Sequence, residues 1–116
     1  LVMEFLGENG KPAPTLRETL LSDPNETYKK IVESVKVLFQ KAELVHGDLS
    51  EFNIMIFHDE PYIFDMSQAV LVSHPLSHEL LRRDLTNLTA YFQKLGVKTD
   101  LVRDLEQRIT QQTRTS

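Results

Sequence analysis

LVHGDLSEFNIM, Leu44 to Met55, is the stretch that decides how this chain is read. Two apolar residues lead in and a run of apolar residues leads out. Between them lie His46, Gly47, Asp48, Ser50 and Asn53. Just downstream come two β-like runs, Ile54 to Phe57 and Tyr62 to Phe64, with His58-Asp59-Glu60-Pro61 between them as a four-residue hairpin loop. If Phe57 pairs with Tyr62, then Ile54 pairs with Asp65. Asn53 and Asp65 become near neighbours at the open end of strands ~5 Å apart. Asp48 sits in the loop that feeds the first strand, so three oxygen-bearing side chains can converge. A carboxylate beside a carboxamide suits Mg²⁺, which takes few protein ligands and shares its shell with water and phosphates. Asp48 is then left to accept a proton from, or orient, an attacking hydroxyl. Asp and Asn are also ordinary turn residues that bond to their own backbone. Asp65 across the hairpin weighs against turn chemistry alone, because a turn has no need of a third acid on the partner strand.

Outward from this stretch the chain is helical. Asp23 is a suitable N-cap and Pro24 fits a first helical position, with Glu26 completing an Asp-x-x-Glu capping box. The helix over about 24–42 carries Tyr28, Ile31, Val32, Val35, Leu38, Phe39 and Ala42 on one apolar face. A second helix, about 76–95, stops at Gly96 and has a stripe of Leu81, Leu85, Leu88, Phe92 and Leu95. A third, about 100–109, turns Leu101, Val102, Leu105 and Ile109 inward. Leu1 to Leu6 reads as a strand or extended segment, Gly7 to Pro14 as loop, Thr15 to Leu21 as a short helical turn, and Val70 to Val72 as a further short strand. The fold class is α+β.

Length and composition set the bounds. With 116 residues, 41% hydrophobic and 26% charged, the chain suits one soluble globular domain or a piece of a larger one. The net charge of −4 supplies no general pull toward nucleic acid or an anionic membrane, and no direct nucleic-acid site stands out. There are no cysteines, which excludes disulfides, thiolate metal sites and a Cys nucleophile, and suits a cytoplasmic protein. No apolar run approaches the ~18 residues that span a bilayer. The start, LVMEFLG, has no initiator Met and reads like the middle of a buried strand, so the chain is expected to begin inside a larger protein.

His46-Gly47-Asp48-Leu49-Ser50-Glu51-Phe52-Asn53 resembles the catalytic loop of the protein-kinase-like superfamily, His-x-Asp-x4-Asn. The wider resemblance is to the RIO family of atypical serine/threonine kinases. HGDLSEFNIM is similar to its catalytic loop and YIFDMSQAV (62–70) to its metal-binding loop. SHPLSHELLRRDLTNL (73–88) resembles the segment that follows, and LVMEFLGENGKPAP (1–14) the hinge between kinase lobes. Leu49-Ser50-Glu51, Met66-Ser67-Gln68 and the PAP of the hinge favour the Rio-one branch, most like archaeal members, while Gly47 and Phe52 are closer to the Rio-two pattern.

The resemblance implies a protein-kinase-like C-lobe, mainly helical, with a small hairpin carrying the catalytic and metal-binding loops. Residues 1–14 would be the hinge segment, 15–109 the C-lobe and 110–116 a polar tail. Asp48 would be the catalytic Asp. Asn53 and Asp65 would hold Mg²⁺ (or Mn²⁺), and Asp65 would also be the candidate phospho-aspartate acceptor. Met3, Glu4, Leu6, Ser50 and Asn53 would serve ATP, with Met3 behind the adenine and Glu4 and Leu6 offering backbone groups to its edge. The acceptor would be a protein or the chain itself, and the setting small ribosomal subunit maturation, reached through a parent protein.

A kinase also needs a Gly-rich loop and a strand Lys paired to a helix Glu. The four glycines, Gly7, Gly10, Gly47 and Gly96, form no such loop, so the N-lobe is expected to be absent and the fragment inactive. A small-molecule phosphotransferase of the aminoglycoside or choline kinase kind shares H-G-D-x4-N. Ser50-Glu51-Phe52 and Asp65-Met66-Ser67-Gln68 argue against it. A third possibility is a kinase-derived module that binds without catalysis. His46 reads as a brace for the loop. Asp84, on the apolar stripe of the second helix, needs partners if buried, and the kinase resemblance implies that these are catalytic-loop amides. Arg82 and Arg83 could contact an acidic or phosphate partner but read first as a solvated helix face, and His74 with His78 lacks a third metal ligand.

Overall fold

A computed structural model describes residues 7–8, 11–12 and 14–111. The expected strand over Leu1 to Leu6, with Met3, Glu4 and Leu6, lies outside the described residues, as does the end of the tail. Gly7 to Pro14, expected to be loop, includes a tight antiparallel ladder of β1 (Gly7–Glu8) and β2 (Lys11–Pro12). A 3-10 turn at Leu16–Glu18 buries Leu16 completely.

Helix α1 spans Pro24–Gln40. The Asp23 carboxylate accepts the Glu26 amide at 3.2 Å, and Pro24 opens the helix where its missing N–H costs nothing. The helix ends two residues before the expected Ala42, which is exposed. Tyr28, Ile31, Val35 and Leu38 form the buried face.

Helix α2 covers Ser77–Lys94 and buries Leu81, Leu85, Leu88 and Phe92. Its end is a Schellman motif: the Gly96 amide donates to Gln93 O and the Val97 amide to Phe92 O, both at 3.0 Å. Gly96 takes φ +86 to make this turn. The turn swings Leu95 off the stripe, leaving it 42% exposed where the sequence pattern puts it inside. Helix α3, Val102–Thr110, packs on both α1 and α2 through Leu105 and Ile109. Leu101 precedes it as the N-cap and is 60% exposed, also against expectation.

Four short strands position the polar loops. β3 (Leu44–Val45) pairs antiparallel with β6 (Val70–Leu71), and β4 (Ile54–Phe57) with β5 (Glu60–Ile63). The pairings are nested, so the β3–β4 loop and the β5–β6 loop must leave the strands side by side. The β4–β5 turn is tighter than the sequence suggests. Phe57 faces Glu60 and Ile54 faces Ile63, so the loop is His58-Asp59 alone, both with positive φ, as a type I′ turn requires. Pro61 lies inside β5 opposite Ile56. The Ile56 amide turns away to Pro14 O at 2.9 Å, so this pair exchanges no ladder bond and Pro61 has no N–H to supply.

One core cluster joins α1, α2, α3 and the β4–β5 hairpin. No helix among the described residues is long and apolar enough to cross a membrane. A Cβ at Gly96 meets no atom within 4 Å, so Gly96→Ala carries only backbone strain. It is expected to cost about 1 kcal/mol in urea denaturation, with Gly96→Asn costing less.

Candidate active site

The β3–β4 loop carries the His46 to Asn53 motif, and side chains of α2 hold its backbone at Gly47 and Leu49. Asp84 is 1% exposed and accepts two loop amides, Gly47 N at Oδ2 (2.9 Å) and Leu49 N at Oδ1 (3.0 Å). This is the role the sequence suggests for it. Arg83 donates to Gly47 O at 3.2 Å, and Asn87 to Leu49 O at 3.4 Å. Gly47 and Leu49 thus have both backbone groups satisfied from one helix face, with no strand ladder. Burial pushes the Asp84 carboxyl above its ordinary range, and the Leu49 and Gly47 amides and the Arg83 charge offset part of that shift.

His46, 2% exposed, stitches the two loops together. Its Nδ1 accepts the Asp48 amide at 3.2 Å, which places the ring proton on Nε2, 2.9 Å from Phe64 O, as donor. The brace role is therefore realised, with Phe64 directly before Asp65. The Phe64 amide in turn donates to Asn53 O at 2.8 Å. Gly47, at φ +87, lies so close to the turn after Asp65 that a Cβ would stand 2.7 Å from Gln68 O. A side chain is excluded there on both grounds.

The expected site residues fall out as follows. Ser50 donates its hydroxyl to Asn53 Oδ1 at 2.8 Å and receives the Phe52 amide at 3.2 Å. Asn53 is buried. Asp65 follows Phe64, which faces Asn53, so it sits one step past the hairpin and not opposite Ile54 as the longer loop implies. It adopts left-handed backbone (φ 62, ψ 67) at the start of the Met66–Gln68 3-10 turn, and its Oδ1 accepts the Ser67 hydroxyl at 2.8 Å. Left-handed backbone is uncommon for a residue other than glycine, and Asp is among those that tolerate it. The Asp48 carboxylate is exposed, with Arg83 Nη2 3.8 Å from Oδ1. Sequence reasoning preferred a solvated face for Arg83 over an acidic partner and missed Asn87. The available signal was their helical spacing around Asp84. Arg82 instead faces α3, bonding Glu106 at 3.0 Å.

Asn53 and Asp65 are hard oxygen donors that each keep acceptor capacity beyond the Ser50 and Ser67 hydroxyls. Among the described residues no group of three or more His, Cys, Asp or Glu could hold a metal. In donor chemistry a carboxamide and a carboxylate, completed by water and phosphate, are of the kind Mg²⁺ takes.

The RIO domain profile matches residues 1–105 of this sequence. The chain belongs to the RIO family. It is 46% identical over 110 residues to the RIO-type serine/threonine-protein kinase Rio1 of Methanocaldococcus jannaschii, a match covering 95% of this chain and 38% of that protein. It is 38% identical over 112 residues to the serine/threonine-protein kinase RIO1 of Homo sapiens, covering 95% of this chain and 20% of that protein. This RIO chain therefore spans well under half the length of either relative. In fold it matches the Rio2 kinase of Chaetomium thermophilum, solved as an ADP/Mg²⁺-phosphoaspartate complex. The TM-score is 0.66 at 21% identity, over 86% of this chain and 34% of that one.

Two substitutions probe how the loop is held. Asp84→Ala leaves two buried amides unpaired and is expected to cost about 3 kcal/mol in urea denaturation. Gly47→Ala is expected to cost about 1–3 kcal/mol. The pH sign for Asp84 follows from its raised folded value: the folded state binds the proton more tightly than the unfolded chain. Its contribution to stability falls as pH rises from the ordinary value of 3.8 through the folded value and is constant above that. The stability gap between wild type and Asp84→Asn should narrow as pH rises through this window.

Proposed function

We propose that this chain forms the C-lobe of a RIO-type serine/threonine protein kinase or ATPase, with residues 1–14 as hinge, 15–109 as lobe and 110–116 as polar tail. The observation that supports this best is the His46 stitch, which ties the backbone of Asp48 to the residue before Asp65. The two loops that phosphoryl transfer needs are thereby held in fixed relation.

In this reading ATP lies against the hinge, with Met3, Glu4 and Leu6 at the adenine and Ser50 and Asn53 on the phosphate side. Asn53 and Asp65 would hold Mg²⁺ (or Mn²⁺), which when bound neutralises charge on the phosphates. The acceptor hydroxyl of a protein, or of the chain itself, attacks the γ-phosphorus as the bond to the bridging oxygen breaks. Asp48 orients that hydroxyl and takes its proton. Asp65 is the candidate site of a phospho-aspartate. Small ribosomal subunit maturation in the cytoplasm is the proposed setting.

Catalysis of this kind is mostly positioning and electrostatics, and these 116 residues contain no Gly-rich phosphate loop. The 116-residue chain assayed alone is expected to bind ATP weakly and turn over negligibly. In the full-length protein, Asp48→Asn and Asp65→Asn should each lower ATP-dependent phosphoryl transfer about 100-fold or more, and EDTA should abolish it. Wild-type rates in both variants would remove the assignment.

A further inference from the structure

The backbone around Asp48 is pinned on both sides and at the Asp48 amide itself. Gly47 N and O, Asp48 N, and Leu49 N and O are bound by Asp84, Arg83, His46, Asp84 and Asn87 respectively. What this leaves undetermined is the Asp48 side chain, 58% exposed. An exposed Asp explores several rotamers unless something biases them. The cation that faces it is the Arg83 guanidinium, 3.8 Å from Asp48 Oδ1. That guanidinium is itself anchored on the Gly47 carbonyl one residue away.

We propose that Arg83 is a positioning residue: anchored on Gly47 O, its guanidinium holds the Asp48 carboxylate in the orientation that meets the acceptor hydroxyl. The inference rests on Asp48 having the role given above. An ion pair with both partners more than half exposed contributes little to stability, so its effect should appear in turnover and not in unfolding. The planar fork explains why Arg serves here. It can donate to a carbonyl and present charge to a carboxylate at once, which a Lys ammonium does less rigidly. Arg82, one position earlier, is bound to Glu106 on α3 and supplies an internal control.

The test uses the full-length protein, labelled ATP and casein as acceptor, with Arg83→Gln, Arg83→Lys, Arg82→Gln, Asp48→Asn and the Asp48→Asn/Arg83→Gln pair. Arg83→Gln should lower kcat about tenfold with KM for ATP unchanged, beside at most a small fall in the urea midpoint from the lost bond to Gly47 O. Arg83→Lys should recover part of the loss, Arg82→Gln should match wild type, and Arg83→Gln should add nothing in the Asp48→Asn background. An unchanged kcat in Arg83→Gln, or an equal loss with Asp48 already replaced, overturns the inference. If Arg83→Gln lowers the urea midpoint, Arg83→Lys decides: a reduced kcat at the wild-type midpoint supports the role, and wild-type kcat overturns it. Wild-type turnover in Asp48→Asn would instead remove the role of Asp48, and this inference with it. An inactive Asp48→Asn beside a fully active Arg83→Gln removes the inference alone.

Discussion

The buried carboxylate of Asp84 is the constraint on which the site depends. A charge on the apolar stripe of a helix is costly unless hydrogen bonds replace its water. Here two amides, from Gly47 and Leu49, do so. The benefit is mutual, since those amides belong to a loop with no strand partner and would otherwise be buried unpaired. Leu81, Leu85 and Leu88 anchor α2 in the core on either side of Asp84, so the acceptor atoms are held as firmly as the core itself.

The second constraint is the nesting of β3–β6 around β4–β5. These strands are only two and four residues long, yet their order forces the two polar loops to emerge together. His46 then joins the loops directly, and the close approach of Gly47 to Gln68 leaves no room for slippage. Regular structure is thus spent on placing irregular structure, which carries Asp48, Ser50, Asn53 and Asp65. That arrangement is consistent with membership of the RIO family and with the fold shared with the Rio2 kinase.

Much of this was legible before any coordinates. Helices announce themselves by period and caps, and Asp23, Pro24 and Gly96 mark boundaries to within two residues. That Asp84 needs partners was legible from an acid on an apolar stripe, while their identity as catalytic-loop amides came from the kinase resemblance. The hairpin register was not, because Pro61 reads as a breaker when its place in the ladder is unknown. Only the diversion of the Ile56 amide to Pro14 O shows that proline is tolerated there. Ala42, Leu95 and Leu101 were placed inside by continuing a period past the point where the helix ends. The ladder at Gly7 to Pro12 was hidden by residues that favour loops.

The sequence by itself determined the residue chemistry: which positions can accept protons, hold a cation or take left-handed backbone, and which helical faces must be buried. Those are properties of single residues and of local period, and they are fixed before folding. Tertiary structure decided which groups meet. That Arg83 faces Asp48 while Arg82 faces Glu106 depends on how α2 is rotated between the catalytic loop and α3. Two neighbouring arginines with the same chemistry differ only in direction. That direction is set by packing between segments distant in the chain, which no local pattern records.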